Sequence, residues 1–378
     1  MVASLVSVVI LPLVTFAAIP NMPGEAPAGV AEVTALLGNP CWQIRLWGAD
    51  ALGQITPPAS LAIGALRQRS NDECEEALVR SFALKALAKM GPGANVVVPD
   101  LPKLLWDRNW LVRQSAAEAL ESLGRGSPDE VLKTLPDVKR LLDERSPYRS
   151  AFDQFAQGPT PELLGIVPQL IALLEDPRYD VRRVTANALG SVGWVVQYSI
   201  EGGQDFIAAI GKAGKPLDAK DTAAITDRIT LSKALLAQTE AALIAKLCDG
   251  EPSVRVSAVD ALRRMMRERA VPSLTQALLC ETHPGVQRSI ADAFGSIGAE
   301  VQKPAARDPI EAALIQLLGH ADPQTRESAV AALGQIAPGT EAGTAKLKEV
   351  LLCDPDTRVK TAALEAIQNR ATHGASTP

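Results

Sequence analysis

From Val167 to Gly193 apolar residues recur three and four positions apart in two runs, Leu170, Leu173 and Leu174, then Val181, Val184, Ala188 and Leu189. Between them lies Glu175-Asp176-Pro177-Arg178-Tyr179, polar and broken by a proline. The spacing predicts two short antiparallel helices joined by a turn. Neither is long enough to hold its shape alone in water, so the pair needs neighbours to cover its apolar faces.

The chain supplies them. A basic residue followed six and seven positions later by a small and then a large apolar residue marks the second helix, and this signature returns along most of the sequence. Arg45 leads to Ala51-Leu52, Arg80 to Ala86-Leu87, Arg113 to Ala119-Leu120 and Arg182 to Ala188-Leu189. Further on, Arg255 leads to Ala261-Leu262, Gln287 to Ala293-Phe294, Arg326 to Ala332-Leu333 and Lys360 to Ala366-Ile367. Most successive landmarks stand 32 to 39 residues apart, but Arg113 to Arg182 is 69 and Arg182 to Arg255 is 73. Two degenerate units are expected in those double-length gaps, one around Arg149 and one around Arg228 with Ala234-Leu235. The upstream helix recurs as leucine pairs, Leu36-Leu37, Leu104-Leu105, Leu141-Leu142, Leu173-Leu174, Leu278-Leu279, Leu317-Leu318 and Leu351-Leu352. A period in the thirties built from helix pairs predicts an all-α fold, an α-solenoid of about nine to ten helix pairs.

The pattern D-P-x-x-x-V-R…A-x-A-L, clearest from Asp176-Pro177 to Leu189 and from Asp354-Pro355 to Ile367, resembles HEAT repeats, particularly the short HEAT-like kind of the phycobilisome bilin lyases. The resemblance spans roughly Ala31 to Arg370 and implies a superhelical stack. Repeats of this kind serve scaffolds, adaptors, lyases and hydroxylases, so the resemblance carries a fold and leaves the activity open.

Hydrophobic residues make up 47% of the chain and aromatic ones 4%, so the core is built from Ala, Leu, Val and Ile, which suits close-packed helix pairs. The net charge is −5 with both signs interspersed and no basic stripe, which speaks against a nucleic-acid partner. Met1 to Gly24 carries no charged side chain, and Val2 to Ile19 is apolar apart from a few small polar residues. Ahead of the loop-forming PNMPGEAPAG, that run reads as a signal peptide or membrane anchor, despite Pro12 and the missing basic start; an apolar capping helix is the alternative. The expected organisation is this segment over 1–19, a Pro/Gly linker over 20–30, repeats over 31–193, a stretched repeat with an insertion over 194–238, repeats over 239–370 and a disordered tail over 371–378. The location implied is exported, periplasmic or membrane-anchored, with a cytoplasmic one as the alternative. The five cysteines include Cys248, Cys280 and Cys353 in one column, too far apart between stacked units to bridge, so they are expected to be reduced and half-buried. Gly124, Gly193 and Gly298 are expected just past the second helix, as C-caps. Pro252, Pro284 and Pro323 suit the first turn of a helix.

Large aromatics on an Ala/Leu protein are what interfaces favour. Trp42, Trp110 and Tyr179 stand three residues before a landmark in alternate units, on one edge of the stack, with Trp106 nearby, and form the candidate partner-binding set. The alternative is that each packs over its neighbour's turn; Trp47 and Trp194 are expected in the core. The landmark cations invite an anion-binding reading. They can equally reach an Asp in an adjacent turn and tie unit to unit. The resemblance implies the latter, a structural inter-repeat set of Arg45, Arg80, Arg113, Arg182, Arg255, Arg326, Lys360, Asp176 and Asp354.

Catalysis finds little support. His283, His320 and His373 sit apart, and no His-Glu dipeptide of the kind carried by HEAT-like di-iron hydroxylases occurs. GKAGKP ends in a proline that spoils a phosphate-binding helix start, and there is no Gly-x-Ser-x-Gly elbow. The expected function is a non-catalytic scaffold holding another protein, without metal or cofactor. A bilin-lyase-like protein acting on a tetrapyrrole or its carrier is the alternative.

Overall fold

The computed structural model describes residues 28–55, 60–123, 149–156, 158, 161–214, 217–301, 304–336 and 339–374. The apolar run over 1–19, Gly124 and Leu141-Leu142 lie outside them. Every regular element among the described residues is helical. Helices α1 (Ala28–Leu36) and α2 (Trp42–Leu52), α3 (Ile63–Asn71) and α4 (Ala77–Lys89), and α5 (Leu101–Leu105) and α6 (Trp110–Leu123) form successive pairs. Helix α7 (Arg149–Ala156) stands outside the pairing. Pairs resume with α8 (Pro161–Leu173) and α9 (Tyr179–Lys212), α10 (Ala219–Ala245) and α11 (Pro252–Met266), and α12 (Val271–Cys280) and α13 (Pro284–Glu300). Helices α14 (Pro304–Leu317), α15 (Pro323–Gln335), α16 (Glu341–Cys353) and α17 (Thr357–Gly374) complete the array. Pro252, Pro284 and Pro323 each open a second helix, where the missing N–H costs nothing. Helix α17 takes in the first residues of the stretch expected as a tail and ends at Gly374.

The second helices pack on one another in sequence, α2 on α4, α4 on α6, α6 on α9, α9 on α11 and onward to α17. Several joints are built for close approach. In the units where a glycine follows the small-large pair, that glycine faces the small residue of the next unit: a Cβ added at Gly190 would stand 2.6 Å from Ala261 Cα, and one at Gly334 2.8 Å from Ala366 Cα. Nothing larger than hydrogen fits there. Between the two layers lies the core, with the large members of the pairs, Leu52, Leu87, Leu120, Leu189, Leu262 and Leu333, all inaccessible to solvent. Removing any of these from water is worth on the order of 2 kcal/mol.

Two expectations about the double-length gaps change. The units of Arg113 and Arg182 are neighbours in the stack, since α6 packs directly on α9, and α9 likewise packs directly on α11. The first gap holds α7, which lies against the far end of α9 and sends Phe152 and Phe155 into a fully buried cluster with Phe206, the rings of Phe152 and Phe206 being 5.4 Å apart. The second gap is taken up by length. Helix α9 runs unbroken for 34 residues, about 50 Å, and α10 returns for 27. Residues 194–238 are thus the continuation of one helix, a turn and most of another. Arg228 opens no second helix; it sits on α10 with its guanidinium 4.5 Å from the Phe155 ring, and burial lowers its pKa to about 10. Gly193 and Gly298 are not caps either. Both lie inside helices, where a Cβ would meet Met265 and Ile336 of the next unit.

Candidate functional site

The turn between the helices of each pair carries a recurring hydrogen-bond unit. Arg113 donates from Nε to Asp176 Oδ2 at 2.7 Å and from Nη2 to Oδ1 at 3.2 Å, while its Nη1 donates to the Asp107 carbonyl of its own turn at 2.9 Å. Arg182 repeats this one unit on, reaching Asp249 with both distances 2.9 Å and bracing on the Asp176 carbonyl at 2.9 Å. Arg45 pairs with Glu75, Arg255 with Glu281 and Arg326 with Asp354 in the same way, at 2.6 to 2.7 Å, while Arg80 reaches Asp107 through Nη2 at 2.6 Å and turns its Nε to the Ser70 carbonyl at 3.1 Å. Each carboxylate also accepts from its own turn, as Asp176 does from the Arg178 N–H at 2.8 Å and Asp354 from the Asp356 N–H at 2.8 Å. The guanidinium forks are therefore occupied by the protein itself. Lys360, in the last unit, reaches no carboxylate among the described residues and donates to the Leu352 carbonyl at 3.3 Å.

The electrostatics follow from this geometry. The hydrogen bond from Arg326 holds Asp354 below the usual carboxylate range. For Asp249, Glu281 and Glu75 burial is the largest influence and works upward, but the bonds from Arg182, Arg255 and Arg45, the backbone N–H bonds of the turn and the arginines' charge together outweigh it, and all three end lowered. Away from the turns Asp292 is raised, first by burial and then by Asp260.

One rung differs. Gln287 replaces the arginine, and His320 stands where the next turn has its carboxylate. Gln287 Nε2 keeps the brace on its own turn, donating to the Glu281 carbonyl at 2.9 Å, and His320 Nδ1 accepts the Asp322 N–H at 3.0 Å, as the carboxylates do elsewhere. The reach to the next turn is missing, and Gln287 Oε1 is buried without a partner.

The candidate aromatics sit beside this ladder. Trp42, Trp110 and Tyr179 are the first residues of α2, α6 and α9, and Trp106 follows the end of α5. The structure makes the units of Trp110 and Tyr179 adjacent rather than alternate. Trp110 packs partly on the core with Arg178 4.4 Å above its ring, so it bridges two turns. Trp106 is 60% and Tyr179 44% exposed. All five cysteines are exposed and free, not half-buried; Cys280 and Cys353 are the last residues of α12 and α16.

Trp47 and Trp194 are not core residues, being 48% and 37% exposed. Trp194 is the sixteenth residue of α9, one position past the length of the neighbouring second helix α11, whose end leaves the ring partly open. Its ring stacks on Tyr198 with centroids 5.7 Å apart and planes inclined by 12°. The pair forms one wall of a cleft of about 370 Å³ whose floor includes Met265, Met266 and Ile297. The opposite wall is the end of α11 and its turn, Arg264, Arg267, Glu268 and Arg269, with Glu300 of α13. Arg267 has φ 49°, the one non-glycine residue with positive φ among those described, a setting that costs on the order of 1–3 kcal/mol. The cleft was unreadable from periodicity because it exists only where a helix overruns its stack. The carboxylates Glu75, Asp107, Asp249 and Glu281 were also missed. Most stand six residues before a landmark, a column that could have been read.

Among the described residues no three His, Cys, Asp or Glu side chains gather as a metal-ligand set, and no helix is long and apolar enough to cross a membrane. Comparison with known proteins places HEAT repeats over residues 166–193, 240–312 and 305–368. No curated protein matches the chain in sequence. Among solved structures it is similar to the complex of CpcE and CpcF of phycocyanin lyase from Nostoc sp. PCC7120, with 18% identity over 54% of this chain and 98% of that one and a TM-score of 0.36. It is also similar to a designed armadillo repeat protein, with 17% identity over 72% and 99% and a TM-score of 0.39. Human deoxyhypusine hydroxylase in complex with glycerol matches at 16% identity over 83% and 97%, with a TM-score of 0.30.

Proposed function

We propose that this chain, a solenoid built of HEAT repeats, is a non-catalytic scaffold that holds another protein along its turn edge. One observation carries the reading: the ladder's charges are consumed in tying unit to unit, while large aromatic rings stay exposed beside it at Trp106 and Tyr179. Aromatic anchors beside a satisfied polar framework are what protein interfaces use. The apolar run over 1–19 supports an exported or membrane-anchored location for this scaffold, which intact mass and cell fractionation would test. For the edge, the test is partner capture by the native protein and by a Trp106→Ala/Tyr179→Ala variant. The expected outcome is loss of a captured protein with a nearly unchanged helical melt, since neither side chain belongs to the buried core. Capture that survives the double substitution removes the edge from the reading.

A further inference from the structure

The cleft beneath Trp194 has a polarity of its own. Past Arg183, α9 carries no basic residue until Lys212, and its solvent-facing stripe reads Trp194, Tyr198, Glu201 and Asp205 at helical spacing. Glu201 receives only the Gln197 amide, at 2.7 Å, and neither Glu268 across the cleft nor Asp205 has an ion-pair partner among the described residues. The arginines of the opposite wall are committed elsewhere. Arg264 donates to Ser191 Oγ at 3.0 Å and lies 3.8 Å from Glu121, and Arg269 is bonded to Glu240; none of these acceptors lines the cleft. Only Arg267 faces a lining carboxylate, Glu300, at 3.5 Å, and both are well exposed, so that pair is weakly held. What remains is an aromatic pair and two methionines beside Glu201 and Glu268, neither of which is in an ion pair among the described residues.

From this balance we infer that the cleft is a docking site for a basic, apolar-flanked peptide segment of a partner protein, an Arg or Lys lying over the Trp194/Tyr198 rings within reach of Glu201 and Glu268, and aliphatic neighbours on Met265 and Met266. An aromatic face attracts a cation through its quadrupole, Trp most strongly. Methionine adapts its shape to varied aliphatic partners. The chain's net charge of −5 favours encounter with a basic partner over long range. A cleft of about 370 Å³ has room for a few side chains, not for a folded domain. The inference rests on the scaffold reading and gives it a second, chemically distinct contact.

The test is fluorescence polarisation of the full chain with a labelled peptide alternating leucine and arginine, beside counterparts with glutamate or glutamine in place of arginine. The arginine peptide is expected to bind about tenfold more tightly than either counterpart. Glu201→Lys/Glu268→Lys and, separately, Trp194→Ala should each weaken it by about tenfold, the charge reversal with melting unchanged because both carboxylates are exposed. Reversal of two remote exposed carboxylates, Glu341→Lys/Glu349→Lys, should leave it unaltered and so exclude a general charge effect. Equal binding of the glutamate peptide, binding indifferent to the cleft substitutions, or no binding of any peptide overturns the cleft. The turn-edge reading has its own readout in the capture lost with Trp106→Ala/Tyr179→Ala. A cleft that fails while that capture stands sinks only the cleft.

Discussion

Two neighbouring joints of the stack are built to one plan with one difference. Between α15 and α17, Gly334 lies against Ala366 and Arg326 grips Asp354 in a bidentate pair that is almost wholly buried. Between α13 and α15, Gly295 lies against Ala332, a Cβ there coming within 2.9 Å of Ala332 Cα, but the rung is Gln287 and His320. The turn survives the exchange because its requirement is an acceptor for the N–H two residues on, which His320 Nδ1 meets as Asp354 Oδ1 does. Packing and turn geometry thus define the joint; the ion pair is an added tie. The molecule's own variation separates the two contributions.

The largest expected effect breaks the charged tie. Arg326→Ala leaves Asp354 buried without its cation and should cost about 3 kcal/mol, against about 1 kcal/mol for Gln287→Ala at the neutral joint. Since stacked repeats unfold as neighbouring units, hydrogen exchange resolved along α15 and α17 is the proper measurement. Equal costs would mean that the ion pair adds nothing to the hydrogen bonds of the turn.

Next comes what the joints share. Gly295→Val and Gly334→Val should each cost about 2 kcal/mol, because both press a side chain into the backbone of the next helix. A loss at one joint alone would show that the helices can part at the other. Smaller still is the exchange of one joint for the other: Gln287→Arg with His320→Asp should gain about 1 kcal/mol over wild type, while Gln287→Arg alone should lose stability by burying a cation opposite no carboxylate. A double-mutant cycle read from thermal melts measures the coupling.

The smallest effect is the response to acid. Asp354 has its pKa lowered by Arg326, so the folded state binds its proton less readily than the unfolded one. The stability from this pair is present above the ordinary carboxylate value of 3.8 and is lost as pH falls through the lower folded value. The joint between α15 and α17 should therefore loosen below about pH 4 faster than that between α13 and α15, whose rung holds no carboxylate. Exchange protection that declines equally at both would reject the difference.

Much of this was legible in the chain. The landmark column with its small-large pair set the period, and the prolines at 252, 284 and 323 marked helix starts that the structure places where local sterics require. The aromatics at 42, 110 and 179 were readable as one edge because each opens a second helix. Other positions had two local readings. Gly193 and Gly298 suit a helix end as well as a close contact, and only Met265 and Ile336 of the next unit decide for contact. Trp194 follows a complete repeat signature and reads as core. It is partly exposed because the neighbouring α11 ends level with it.

By itself the amino-acid sequence determined the helix pairs, their order, the small residues at their contacts and the cations at their turns. All of these depend on interactions within a unit or on steric needs common to every unit. Tertiary structure alone decided which units are neighbours. It set Arg113 on Asp176 and Arg182 on Asp249 across 63 and 67 residues of chain, and let α9 run on to Lys212 under cover of α7 and α10. The physical reason is that a marginal helix ends where its apolar face loses its cover, and that cover belongs to residues distant in the chain.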